Sequence, residues 1–112
     1  MIHTWKTLDN INQLDEIIES SSEKTAVIFK HSTTCGISQH AMYKLESAWD
    51  IEDGVIDFYY LDLLNYRSVS NETANRFGVV HQSPQILVIK DGKSVYDISH
   101  NGISMESLKS HI

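Results

Sequence analysis

The chain has 112 residues, of which 41% are hydrophobic and 21% charged, with five Gly, one Pro, one Cys and a formal charge of −6. That length allows one domain, residues 1–112, that buries roughly two-thirds of its unfolded surface without disulfides or metals, and the composition is too apolar for disorder. Nine Lys and Arg scattered among fifteen Asp and Glu exclude broad binding to nucleic acid or to an anionic membrane surface, both of which need clustered cations.

Thr7 or Asp9 is placed to cap a first helix whose apolar positions Leu8, Ile11, Leu14, Ile17 and Ile18 recur at three- and four-residue spacing. A short strand at Ile2 to Trp5 would precede it. After Ser20-Ser21-Ser22, the nearly continuous apolar run Thr25 to Lys30 reads as a strand buried on both faces. Ile37, Ala41, Leu45 and Ala48 mark the inner stripe of a second helix, broken by Glu52-Asp53-Gly54, and Ile56 to Asp62 follows as another strand. Ser68 or Ser70 is expected to cap a third helix with Glu72 in its first turn, and Gly78 stands where a left-handed residue would stop it. The runs Gln85 to Lys90 and Ser94 to Ser99 are joined by Asp91-Gly92-Lys93, a hairpin signal, so this pair is antiparallel. Ser104 caps a last helix with Met105, Leu108 and Ile112 on one side. The order predicts an α/β fold with a mixed sheet flanked by helices on both faces, which is the thioredoxin-like architecture. No stretch reaches the ~18 apolar residues of a membrane span, and Met1-Ile2-His3-Thr4-Trp5 lacks the basic segment and apolar run of a signal peptide. A cytoplasmic location is expected.

The one cysteine, Cys35, lies in His31-Ser32-Thr33-Thr34-Cys35-Gly36-Ile37-Ser38, on the turn between the second strand and the second helix. Unpaired N–H groups in a first helical turn carry partial positive charge, which favours thiolate over thiol. An inert buried cysteine would have apolar neighbours, whereas Thr, Thr, Gly and Ser describe a turn. In open α/β sheets the reactive crevice lies beyond the carboxyl ends of strands, where Cys35 falls. One cysteine cannot form an internal disulfide, so any disulfide chemistry involves a second molecule. Ser38, one turn on, is a candidate donor to the Cys35 sulfur or, alternatively, to the helix backbone, and Thr34 is a weaker candidate for the same role. Lys30 or His31 would add positive charge nearby if not simply solvated at the strand end. His81 is placed to line the same groove as a proton carrier. Six histidines and one cysteine lack the four-ligand spacing of a zinc site, so no metal is expected. The scattered aromatics Trp5, Trp49, Tyr59, Tyr60 and Tyr66 read as packing residues, and Asp57 and Asp62 as strand-end acids.

Pro84 opens the fourth strand, and frequency alone would make its peptide trans. Together with Cys35 on its turn, Ser83-Pro84, and Gly102 before the last helix, the chain resembles the thioredoxin superfamily over nearly its whole length. In that superfamily a cis-proline faces the active cysteine, the residue before it offers backbone groups to a bound partner, and a glycine lines the groove; Pro84, Ser83 and Gly102 match these positions. Thr34 and Ser38 stand where thioredoxins carry Trp and the resolving cysteine, which excludes a dithiol mechanism. Within the superfamily, Lys30 to Ser38, Asp62-Leu63-Leu64, Arg76-Phe77-Gly78-Val79 and Ser83-Pro84-Gln85 resemble the YtxJ family of monothiol bacilliredoxins, whose motif is similar to Thr-Cys-Pro-Ile-Ser. Gly36 replaces the proline and loosens the turn that aims N–H groups at sulfur.

The resemblance implies removal of bacillithiol from S-bacillithiolated client proteins through a Cys35 mixed disulfide. Bacillithiol is then a co-substrate, Thr34, Gly36, Ser38, Ser83, Pro84 and Gly102 contact substrate, and a free thiol or partner reductase resets the enzyme. No cofactor is implied. Cys35-Gly36-Ile37-Ser38 is also similar to the motif of monothiol glutaredoxins that carry a [2Fe–2S] cluster, although the Gly-Gly pair of those proteins is absent. A brown dimer needing a thiol ligand would favour that alternative. A third alternative is a non-enzymatic binding module, in which Cys35→Ser would leave binding intact.

Overall fold

A computed structural model describes residues 1–112. Five strands, β1 (Lys6–Thr7), β2 (Ala26–His31), β3 (Asp57–Asp62), β4 (Gln85–Lys90) and β5 (Lys93–Ser99), form one sheet in the order β1-β3-β2-β4-β5. Helices α1 (Asn12–Ser20), α2 (Gly36–Ser47), α3 (Arg67–Phe77) and α4 (Met105–Lys109) lie between or after them. β1, β3 and β2 run parallel, while β4 and β5 are antiparallel.

Alternation along β2 divides the core in two. Val27 and Phe29 join Trp5, Leu45, Phe58, Ile86, Ile103 and Leu108 on one face, whereas Ala26 and Ile28 join Leu14, Ile17, Leu61, Val69 and Leu87 on the other. Helix residues assign the covers: α2 and α4 contribute to the first cluster, α1 and α3 to the second. Trp5 stacks on Phe58 at 4.5 Å and meets Trp49 edge-on at 5.3 Å, so these aromatics are packing residues.

Local signals act where expected. Asp91 and Gly92 take φ of 51° and 75° in the hairpin, and Gly78 ends α3 at φ 66°. Ser104 accepts the Ser107 N–H and the Ser107 side chain returns the bond, a reciprocal cap on α4. Four expectations are corrected. The first strand is Lys6–Thr7, set by pairing with Tyr59 and Tyr60, and Ile2–Trp5 forms no strand. Neither Thr7 nor Asp9 caps α1; the Gln13 side chain accepts the Asp9 and Asn10 N–H groups, and Asn10 Oδ1 accepts that of Asn12. Helix α3 starts at Arg67, after an Asp62–Asn65 turn closed by side-chain bonds, so Ser68 and Ser70 lie inside it and Glu72 follows its first turn. The inner stripe of α2 is Ser38, Ala41 and Leu45, while Ile37 and Ala48 are exposed. No helix is long and apolar enough to cross a membrane.

Candidate active site at Cys35

β2 delivers its chain to the carboxyl edge of the parallel strands, and the four-residue connection Ser32 to Cys35 brings Cys35 to the N-cap position of α2 with extended φ and ψ of −104° and 122°. Its thiol is free and partly exposed. The connection is braced from within. The Cys35 N–H donates to Ser32 O at 3.3 Å, the Gln39 amide to Thr33 O at 2.6 Å, and the Gln39 N–H to Cys35 O at 2.9 Å. No α2 side chain caps the first turn, so its N–H groups stay available to an anion at the sulfur.

Ser38 does something other than bond to sulfur. Its side chain is fully buried; Oγ accepts the Ser32 N–H at 2.9 Å and shares a 2.7 Å hydrogen bond with His31 Nδ1. The hydroxyl at the position of a resolving thiol therefore ties the end of β2, the loop and α2 together, and neither the Cys35 sulfur nor the helix backbone is its partner. The Thr34 hydroxyl meets Ser32 Oγ at 3.4 Å. At Gly36 a side chain would meet nothing, so the backbone does not demand glycine there.

His31 and Lys30 are both buried and not solvated at the strand end. They point to opposite faces. His31 packs with its ring centroid 5.5 Å from both Phe29 and Tyr60, and burial pushes its pKa down, opposed by nearby Asp62 and the Ser38 bond. A neutral ring supplies no charge to sulfur. Lys30 extends between β4 and α3, where Nζ donates to Ser70 O at 3.3 Å and lies 3.2 Å from His81 Nδ1; burial lowers its pKa to about 8. Asp57 pairs with Lys6 and Asp62 with Asn65, so the two acids act separately. No group of three or more His, Cys, Asp or Glu side chains is gathered where a metal could sit.

On the other side, Lys30 is registered opposite Gln85, the first residue of β4, so Ser83 and Pro84 enter the sheet at the end where β2 finishes. The Ser83–Pro84 peptide is cis, as the superfamily resemblance implies and frequency does not. Pro84 O accepts the His100 N–H at 3.0 Å, which ties this turn to the short 3₁₀ segment His100–Gly102. A side chain at Gly102 would come within 2.8 Å of Ile98. Cys35, Ser83, Pro84 and Gly102 thus belong to loops at one edge of the sheet. A family model described as monothiol bacilliredoxin BrxC matches residues 6–108.

The chain belongs to the monothiol bacilliredoxin family. Among solved structures, this bacilliredoxin is similar to a protein of thioredoxin fold with 30% identity and a TM-score of 0.82, covering 96% of this chain and 93% of the other. It is similar in fold to Malassezia sympodialis thioredoxin, at 17% identity and TM-score 0.72 over 95% of this chain and 85% of that one. Fasciola hepatica thioredoxin matches at 22% identity and TM-score 0.71, covering 96% and 99%. The bacilliredoxin sequence departs from a dithiol enzyme at position 38, and the structure shows a serine that is already fully engaged there. Sequence reasoning missed Lys30 and Ser70 as partners in a buried polar group. The only available signal was a lysine ending an otherwise apolar strand.

Proposed function

We propose that this chain removes bacillithiol from S-bacillithiolated proteins by a monothiol route. The observation carrying this reading is a free, partly exposed Cys35 at the N-terminus of α2 with no second cysteine, in a chain of the bacilliredoxin family. The Cys35 thiolate attacks the bacillithiol sulfur of the client's mixed disulfide. One sulfur–sulfur bond forms as the other breaks, the client leaves as a thiolate that takes a proton from water, and no net oxidation occurs. Cys35 then carries bacillithiol until a free thiol or partner reductase displaces it. Main-chain groups of Ser83 and the ring of Pro84 flank the client segment, Gly102 leaves room for it, and Thr34 and Gly36 border the sulfur. Ser38 acts from below, as a brace. No metal or cofactor enters these steps.

Intact mass spectrometry tests this directly. After incubation with a bacillithiolated protein the chain is expected to gain the mass of bacillithiol, and Cys35→Ala to gain nothing. No transfer, or equal transfer from a glutathionylated protein, overturns the assignment. A visible chromophore on a thiol-dependent dimer would instead support cluster carriage.

A further inference from the structure

Between α3 and β4 the chain runs from Gly78 to Pro84, and main-chain bonds anchor this connection near its two ends. The Val79 N–H donates to Ala74 O at 3.1 Å, and Pro84 O accepts the His100 N–H at 3.0 Å. Between these anchors, Val80 to Ser83 make no hydrogen bond to any other main-chain group. A segment without such bonds opens readily unless side chains hold it. Two do so here. Gln85 Nε2 donates to Val80 O at 3.1 Å, and Lys30 Nζ, which has no acceptor, donates to His81 Nδ1 at 3.2 Å. Lys30 and Gln85 are cross-strand partners on β2 and β4, and both are buried.

Holding the segment in this way costs stability. Lys30 has no carboxylate partner, since none of the ion pairs in the molecule includes it, and its other hydrogen bond goes to Ser70 O at 3.3 Å. A buried ammonium without a counter-charge is unfavourable where a methionine of similar length would not be. The Ser70 hydroxyl and the Gln85 side-chain oxygen, buried in the same cluster, have no hydrogen-bond partner either. Local arrangements that lower stability are expected at functional positions. Lys30 stands on the sheet face opposite α2, with Ala26 and Ile28, so it acts through the chain it holds and not by contact with sulfur. That chain exposes Val80 and leads directly into Ser83 and Pro84.

We propose that Lys30 and Gln85 form a polar clip that fixes the Val80–Ser83 segment, and that Lys30 is thereby a positioning residue for client binding in thiol transfer. With the clip closed, the main chain of Ser83 is held ready to receive the client segment. The clip rests on the thiol-transfer reading above and adds what keeps the client-facing chain in place.

The experiment offers Cys35 the same small thiol from two sources: a client peptide capped with bacillithiol at its single cysteine, and the symmetric bacillithiol disulfide. In both, Cys35 attacks a bacillithiol sulfur, the leaving thiolate takes a proton from water and the mass gain is identical. Only the peptide reaches the Ser83 main chain. Rates against peptide concentration separate half-saturation from the limiting rate. Lys30→Met and His81→Ala are each expected to raise the half-saturating peptide concentration about tenfold with little change in the limiting rate, lowering the peptide-to-small-disulfide rate ratio by the same factor. Arg76→Gln, at the other end of α3, should keep that ratio. Lys30→Met should also melt no earlier than the wild type at pH 7.5, so client binding is lost while stability is kept, which a merely structural role would not allow. If Lys30→Met fails to fold, His81→Ala, which removes a half-buried ring, decides alone. A ratio that survives the substitutions, or peptide transfer that falls only in step with stability and with the small-disulfide rate, overturns the clip and leaves thiol transfer standing. No transfer from the peptide to the wild type overturns the transfer reading and the clip with it.

Discussion

Lys30 and His31 are neighbours at the end of one strand, both polar and both buried, yet the two faces of the sheet treat them differently. On the α2 face His31 is tied in by Ser38, which takes the Ser32 N–H and shares a hydrogen bond with the ring, and two aromatic rings close the space. On the α3 face a cation is held by one carbonyl and one imidazole while two adjacent buried oxygens lack partners. Completed networks stabilise and fix geometry, whereas partly satisfied ones cost stability and persist where they serve a ligand. The first is the brace of the cysteine loop and the second is the clip on the segment that enters β4.

The largest effect that would separate the two faces is on stability against pH. With its folded pKa near 8 against 10.5 when unfolded, Lys30 binds fewer protons in the native state between those values, so its contribution becomes more favourable as pH rises through that window. Lys30→Met removes the titration. Relative to the variant, the wild type is expected to gain up to about 3 kcal/mol between pH 7.5 and 10.5, with the variant the more stable at the lower end. Denaturant melts across that range measure it. A constant difference would show that the ammonium is not desolvated.

Ser38→Ala probes the closed network. It strands the Ser32 N–H and a ring nitrogen of His31 inside the core, a loss of about 2 kcal/mol and a lower Tm, with slower thiol transfer because the Cys35 loop loses its tie to β2. An unchanged Tm would mean that the contacts of Ser38 carry no net stability.

Much of this arrangement is legible in the sequence where the cause is local. The Asp91-Gly92 turn, the Gly78 stop and the Ser104 cap each depend on residues within four positions, and each forms as the sequence predicts. Cys35 at the strand-to-helix turn and Ser83-Pro84 at a strand entry are likewise local. Misreadings arise where the partner is distant. Lys30 reads as a solvated strand end because Ser70 and His81, which bury it, lie 40 and 51 residues away. Ser38 looks less suited than Ile37 to an inner stripe until His31 and Ser32 supply its hydrogen bonds, and Lys6–Thr7 becomes a strand only through its register with Tyr59 and Tyr60.

The smallest expected effect lies on the acid side, and it sharpens the contrast because a histidine sits in each network. Burial lowers the pKa of both His31 and His81 from 6.5, so each binds fewer protons folded than unfolded just below that value. Stability therefore falls as pH drops through 6.5 and toward the folded pKa of each ring. The consequences differ by face. Protonating His31 charges a ring enclosed by Phe29 and Tyr60, but Nδ1 can then donate to Ser38 Oγ and the Ser38 contact survives. Protonating His81 removes the lone pair that accepts from Lys30 and sets two cations 3.2 Å apart, so that contact breaks. Ring-proton shifts followed by NMR from pH 7.5 to 5 should show the His81 turn rearranging as its ring titrates while the Cys35 loop keeps its shifts. A Cys35 loop that moves first would assign the weaker network to the α2 face and reverse the comparison.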